Sequence, residues 1–164
     1  ELPQIISMVL IRGDSIKIRG DSCSTENSMI EMELNKIIID EKRHDQVIVL
    51  KEKNGERRLP IIIGLLEASS IKMKLSGIEP PRPMTHDLLK NTIELLDARL
   101  DRIIIDKLLD NTFHAKLVLR LNNNGQEKFI DARPSDSIAL AVRTKAPIFV
   151  EEEVLKQADM FKEQ

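Results

Sequence analysis

Residues 101–109, DRIIIDKLL, echo residues 35–43, NKIIIDEKR, and this echo decides how the chain is read. In both, three isoleucines follow a charged residue and precede an aspartate, the composition of a buried strand. Outward from the first copy, MELNKIIID (32–40) and DQVIVLKE (45–52) read as two strands. Asn54-Gly55 then carries a type I′ turn signal that sends the chain back through RRLPIII (57–63). GLLEASSIKMKL (64–75) spaces Leu65, Ala68, Ile71 and Leu75 at helical intervals, with Gly77 placed to end the helix. Outward from the second copy, FHAKLVLRL (113–121) pairs back, Asn122 to Gly125 turn the chain into QEKFIDA (126–132), and RPSDSIALAVR (133–143) reads as a helix. The expected fold is α+β: two pseudo-symmetric β-β-β-α repeats forming an antiparallel or mixed sheet with helices packed on it. THDLLKNTIELLDARL (85–100) lies between them and is expected to be the longest helix, with Thr85 as N-cap and Asp87 facing the positive end of the dipole. APIFV (146–150) adds a short strand and EEEVLKQADMFK (151–162) a last helix.

Residues 1–28 differ from the rest. IRGDS occurs at 11–15 and again at 18–22, and CSTENS (23–28) is small and polar like a linker. The segment reads as a leader, with the domain over 29–164.

The 164 residues suit one core. With four Phe and neither Trp nor Tyr, that core is expected to be aliphatic, the commonest platform for stacking bases is removed, and single-stranded nucleic-acid binding through aromatic faces is not expected. Lys and Arg number 25 against 27 Asp and Glu, so no global basic field draws in a polyanion, and a nucleic acid would need a local patch or metal ions. The single cysteine, Cys23, permits no internal disulfide and no Cys-His metal spacing, which fits a reducing cytoplasm. No apolar run is long enough for a membrane span, and the N-terminus lacks a secretion pattern.

Two segments hold polar residues that packing does not ask for: Arg82, Thr85, His86 and Asp87 in RPMTHD, and Asp131, Arg133, Ser135 and Asp136 in DARPSD. Each places Arg-Pro just before a helix start, where proline fixes the approach and free N–H groups favour an anion. If both starts face one cleft, Arg82 and Arg133, with Ser135, would grip phosphate oxygens. Asp131 and Asp136, with Glu67, would offer oxygen ligands to Mg²⁺ or Mn²⁺, and Asp87 is a further carboxylate of the set. His86 is the candidate proton carrier. Against this, Thr85 and Ser135 suit helix capping, Asp87 and Asp136 suit helix dipoles, and Arg-Asp pairs between segments serve as structural ion pairs. His44 and His114 read as surface or packing residues. Nucleotide-binding glycine loops, GxSxG and HExxH are all missing from the sequence.

Taken in order, IGLLEASSIKMKLSG (63–77), RPMTHDLL (82–89) and DARPSDSIALAVRTKAPIFVEEEVL (131–155) resemble the bifunctional nuclease family, a group named for activity on both DNA and RNA. The resemblance covers about residues 31–158. It implies a compact α/β domain, often a homo-oligomer, with metal-dependent and weakly sequence-selective hydrolysis of DNA or RNA. Within the matching segments the chain keeps Glu67, Arg82, His86, Asp87, Asp131, Arg133, Ser135 and Asp136. The implied roles are catalysis for His86, Asp87 and Asp131, phosphate binding for Arg82, Arg133 and Ser135, and metal binding for Asp131, Asp136 and Glu67. The competing reading is a non-enzymatic, oligomeric anion- or nucleotide-binding regulatory module, which the scarcity of basic and aromatic surface favours.

Overall fold

The structure, a computed structural model, describes residues 28–39 and 45–160; residues 1–27 of the expected leader and His44 lie outside it. Three strands open the fold, β1 (Met29–Ile38), β2 (Asp45–Glu52) and β3 (Arg58–Gly64), followed by helices α1 (Leu65–Leu75) and α2 (Thr85–Leu95). Then come β4 (Ala98–Leu109), β5 (Thr112–Leu121), β6 (Glu127–Ala132), helix α3 (Pro134–Thr144), β7 (Ile148–Glu151) and helix α4 (Glu152–Met160). All seven strands join one sheet in the order β3-β2-β1-β7-β4-β5-β6. Both meanders are antiparallel, and β7 sits between them, antiparallel to β1 and parallel to β4. This is the α+β class with a mixed sheet. Strand order by itself does not make the two halves twofold equivalent, so the internal repeat stays an expectation.

Alternation places one face of every strand under the helices. In β3, Leu59, Ile61 and Ile63 are buried while Arg58, Pro60 and Ile62 turn outward. Pro60 is tolerated because β3 is an edge strand. Leu59, Ile61 and Ile63 join Ile48 and Leu50 of β2, Ile103 and Ile105 of β4, and Ala115, Leu117 and Leu119 of β5 in one cluster with residues of all four helices. The largest fully buried side chains include Ile48, Leu50, Ile71, Ile103, Ile138, Leu140 and Leu155, each contributing ~1.5–3 kcal/mol by leaving water. No Phe is among them, as the aliphatic reading expects. Helix α3 is the central one: Ile138, Ala139, Leu140 and Ala141 are at most 1% exposed.

Two local expectations are corrected. The helix over 85–100 ends at Leu95, no longer than α1 or α3, because Asp97 adopts a left-handed φ of 54° and Ala98 begins β4. Leu100 fits the helical spacing equally well but is buried as a strand residue, while Leu95 and Leu96 are left exposed. The type I′ turn is also elsewhere. Asn54 and Gly55 are not among the residues with positive φ, and the loop instead closes through Glu52 N–H donating to Arg57 O at 3.0 Å. Positive φ falls on Asp110 (47°) and Asn111 (59°), the two residues between paired Leu109 and Thr112. A two-residue hairpin needs that backbone, whereas the longer β2–β3 loop does not. Gly77, at φ 68°, ends α1 as expected, with its N–H donating to Lys74 O.

Candidate functional site

The proline segment between α1 and α2 carries the start of α2 over the middle of α1. Met84, not Thr85, is the N-cap of α2, and the Asp87 carboxylate accepts from Met84 N–H at 3.1 Å. His86 then faces two helices. Its Nδ1 lies 3.3 Å from Ser70 Oγ of α1, and its Nε2 lies 3.1 Å from Asp136 Oδ1 of α3.

From Asp136 the chain of contacts continues toward solvent. Arg133, the N-cap residue of α3, donates from Nε to Asp136 Oδ2 at 2.8 Å and from Nη2 to Asp136 Oδ1 at 3.3 Å. The same Nη2 lies 3.2 Å from Glu67 Oε1 in the first turn of α1. In the other direction Ser70 Oγ accepts from Arg143 Nη2 at 3.0 Å, and Arg143 Nε donates to Asp87 Oδ1 at 2.7 Å. Arg143 Nη1 also donates to Ala139 O at 3.0 Å. One network therefore runs Glu67, Arg133, Asp136, His86, Ser70, Arg143, Asp87, tying α1, α2 and α3 together.

Its two ends differ in environment. The Arg143 side chain is 2% exposed and that of Arg133 is 68% exposed. Burial raises the Asp136 carboxyl, but hydrogen bonds and charge from Arg133 and His86 outweigh it and hold Asp136 below the usual range. Burial acts on Asp87 in the same sense, and Arg143 with the Met84 N–H likewise brings its pKa down. Arg133 is pushed up, first by its bond to Asp136. Ser70 Oγ, which accepts from Arg143, lies against His86 Nδ1 while Asp136 lies against Nε2, so both ring nitrogens of His86 are engaged and the imidazole is held from two sides. The order Ser70, His86, Asp136 has the connectivity of a nucleophile-base-acid chain, but Ser70 is 3% exposed and sits behind the histidine, so this serine holds the ring in place.

The concave surface is at the Arg133 end. A cleft of about 700 Å³ is lined by Pro60, Ile62, Gly64, Glu67, Phe113, Arg133 and Ser135, among others. The starts of α1 and α3 both open on it. Two helix starts do share a cleft, but they are not the two Arg-Pro starts expected from the sequence. Arg82 is exposed and lines neither this cleft nor the smaller one beside Pro80, Pro83, Asp87 and Arg143. Its motif meets DARPSD through His86 instead. Ser135 provides no side-chain cap to α3; it is 7% exposed, lines the cleft, and its hydroxyl has no hydrogen-bond partner among the described residues.

Asp131 is not brought to this cluster. It pairs in register with Lys116, whose neighbours Ala115 and Leu117 point into the core, so Lys116 and Asp131 lie on the helix-free face. The trio Asp131, Asp136 and Glu67 therefore does not fit a divalent cation, and among the described residues no three His, Cys, Asp or Glu side chains converge to hold one. Sequence reasoning missed Ser70 and Arg143, although both lie inside the quoted motifs. An arginine at the end of an otherwise apolar helical stretch, IALAVR, was the available signal.

Comparison with known proteins identifies the family. The family model of the bifunctional nuclease domain matches residues 48–163. An uncharacterized protein of Mycobacterium tuberculosis is 42% identical over 132 residues, 80% of this chain and 77% of its own length. Bifunctional nuclease 1 of Oryza sativa subsp. japonica is 29% identical over 114 residues, 68% of this chain but 34% of that protein. Bifunctional nuclease 1 of Arabidopsis thaliana is 30% identical over 105 residues, 63% of this chain and 32% of its own. The chain thus spans about a third of the plant relatives. With the matched segment running from β2 through α4 and enclosing the whole His86 network, the chain belongs to the bifunctional nuclease domain family.

Proposed function

We propose that the chain hydrolyses phosphodiester bonds of DNA and RNA with little sequence selectivity, at the cleft between the starts of α1 and α3. The observation that carries this is the convergence of Arg133, Glu67, Ser135 and two helix N-termini on one concave surface. Arg133 would hold a phosphate oxygen through Nη1, which has no partner among the described residues, while Asp136 fixes its other nitrogens. The α3 N-terminus and the free Ser135 hydroxyl would take a second oxygen. Glu67, with 21% of its side chain exposed on the cleft wall, is placed to accept a proton from an attacking water. His86 supports this wall from behind through Asp136, and acts on substrate only if that bond opens.

The test is cleavage of labelled single- and double-stranded DNA and RNA by the full chain, with Mg²⁺, Mn²⁺ or EDTA. Metal dependence is proposed on family grounds alone, and no step above requires it. Arg133→Ala and Glu67→Gln are expected to reduce cleavage by ~100-fold or more, the range of lost transition-state donors and proton carriers. Asp131→Ala is the control. Retained cleavage in that variant places the chemistry in the cleft; its loss moves the site to the helix-free face.

A second reading is favoured by the pairing of Arg133 and Arg143 with carboxylates: a non-enzymatic, oligomeric module that binds an anion or nucleotide. Leu66, Leu95 and Leu96, at 82%, 83% and 72% exposed, suit such self-association. In that case the proteins show no cleavage in any metal, EDTA leaves nucleotide binding unchanged, and sedimentation reports more than one chain. Among the described residues no helix is long and apolar enough to cross a membrane.

A further inference from the structure

The phosphate-directed residues make up only part of the lining of the 700 Å³ cleft. The rest of the lining is largely apolar, Pro60, Ile61, Ile62 and Ile63 of β3 with Phe113 of β5, together with Asn111 and Thr112 of the Asp110-Asn111 hairpin. An apolar wall that includes an aromatic ring, in the same cleft as an arginine and an unpartnered hydroxyl, offers the two chemistries a nucleotide needs, one for the base and one for the phosphate. Phe113 is only partly buried, packing one side on the core while still lining the cleft.

We infer that this wall is a base-binding subsite, with Phe113 as the stacking surface, and that the cleft accepts an unpaired nucleotide of a single strand in preference to duplex. The inference rests on the proposed function for the phosphate side and adds the substrate class. A base inside a duplex has both faces stacked and its pairing edge used, so it offers nothing to this wall. One aromatic ring suffices for one base, which reconciles the site with a chain that has four Phe and no other aromatics. Asn111 and Thr112 add only sequence-tolerant polar contacts at the rim, in keeping with low selectivity.

The test is fluorescence anisotropy of the full chain in EDTA, using a short labelled oligothymidylate, the same oligomer with abasic sites throughout, and a duplex of equal length. The single strand is expected to bind ~10-fold or more tightly than the abasic strand, which has the same phosphates. Phe113→Leu keeps an apolar side chain against the core but has no stacking face; it is expected to remove that difference, and Phe113→Tyr to preserve it. Equal affinity for abasic and natural strands, or an unchanged preference in Phe113→Leu, overturns the inference. Base-dependent binding without cleavage in any metal would sink the nuclease reading alone. Cleavage that is indifferent to Phe113 and to strandedness would sink the subsite and leave the nuclease reading standing.

Discussion

Replacing Arg143 by methionine separates the structural end of the network from the cleft end. The substitution keeps most of the volume of a side chain that is 2% exposed and removes donors to Asp87, Ser70 Oγ and Ala139 O. Breaking a buried ion pair from one side costs ~3–5 kcal/mol, mostly as an uncompensated charge. Asp87 is 27% exposed and keeps the Met84 N–H, so part of that cost is recovered by water, and ~2–4 kcal/mol is expected. With a urea m-value of ~2 kcal/mol/M the midpoint should fall by ~1–2 M. Arg133→Met, in the same network but 68% exposed, should cost no more than ~1 kcal/mol. Urea unfolding followed by circular dichroism measures both. If Arg143→Met shifts stability by less than ~0.5 kcal/mol, or by no more than Arg133→Met, the account of α3 as the buried anchor of His86 is wrong. A double-mutant cycle with Asp87→Asn should give a coupling of ~1–3 kcal/mol.

Three further outcomes follow from the same contacts. Asp87 and Asp136 both have lowered pKa values when folded, so their contribution is present above the unfolded carboxylate range near pH 4 and is lost as pH falls through the lower folded values; Asp136→Asn should flatten that acid limb in pH-dependent melting. A Cβ at Gly64 would collide with the Glu67 carboxylate, so Gly64→Ala should push Glu67 off Arg133 and weaken cleavage with little loss of stability, read by comparing kinetics with thermal melting. On the helix-free face, Arg102 donates to Glu127 at 2.9 and 3.0 Å, and Glu127→Gln should cost ~1 kcal/mol without changing nucleotide affinity, measured by urea unfolding and anisotropy.

The strands were legible because their burial period is local. DQVIVLKE reads as a strand from its own composition and is β2 residue for residue. The failures came where two local signals agreed and the tertiary environment overruled both. Leu100 completes a helical spacing with Leu96, yet the sheet needed that leucine, and Asp97 took a left-handed turn to deliver it. Asn54-Gly55 has the residues of a primed turn, but the hairpin around it is too long to need one.

For the site, the sequence alone determined which residue types cluster: the arginine-proline helix starts, the histidine and the carboxylates, all within contiguous motifs whose helix-start chemistry is set by neighbours in the chain. Only the tertiary structure decided which motif meets which. It joined His86 to Asp136 and Ser70, placed Arg133 beside Glu67, left Arg82 outside, and put Asp131 on the other face of the sheet. The reason is physical. A one-residue step along a strand reverses the face a side chain occupies, and three helices docked on one sheet bring together groups that are 16, 50, 56 and 73 residues apart, distances over which no local pattern in a sequence carries information.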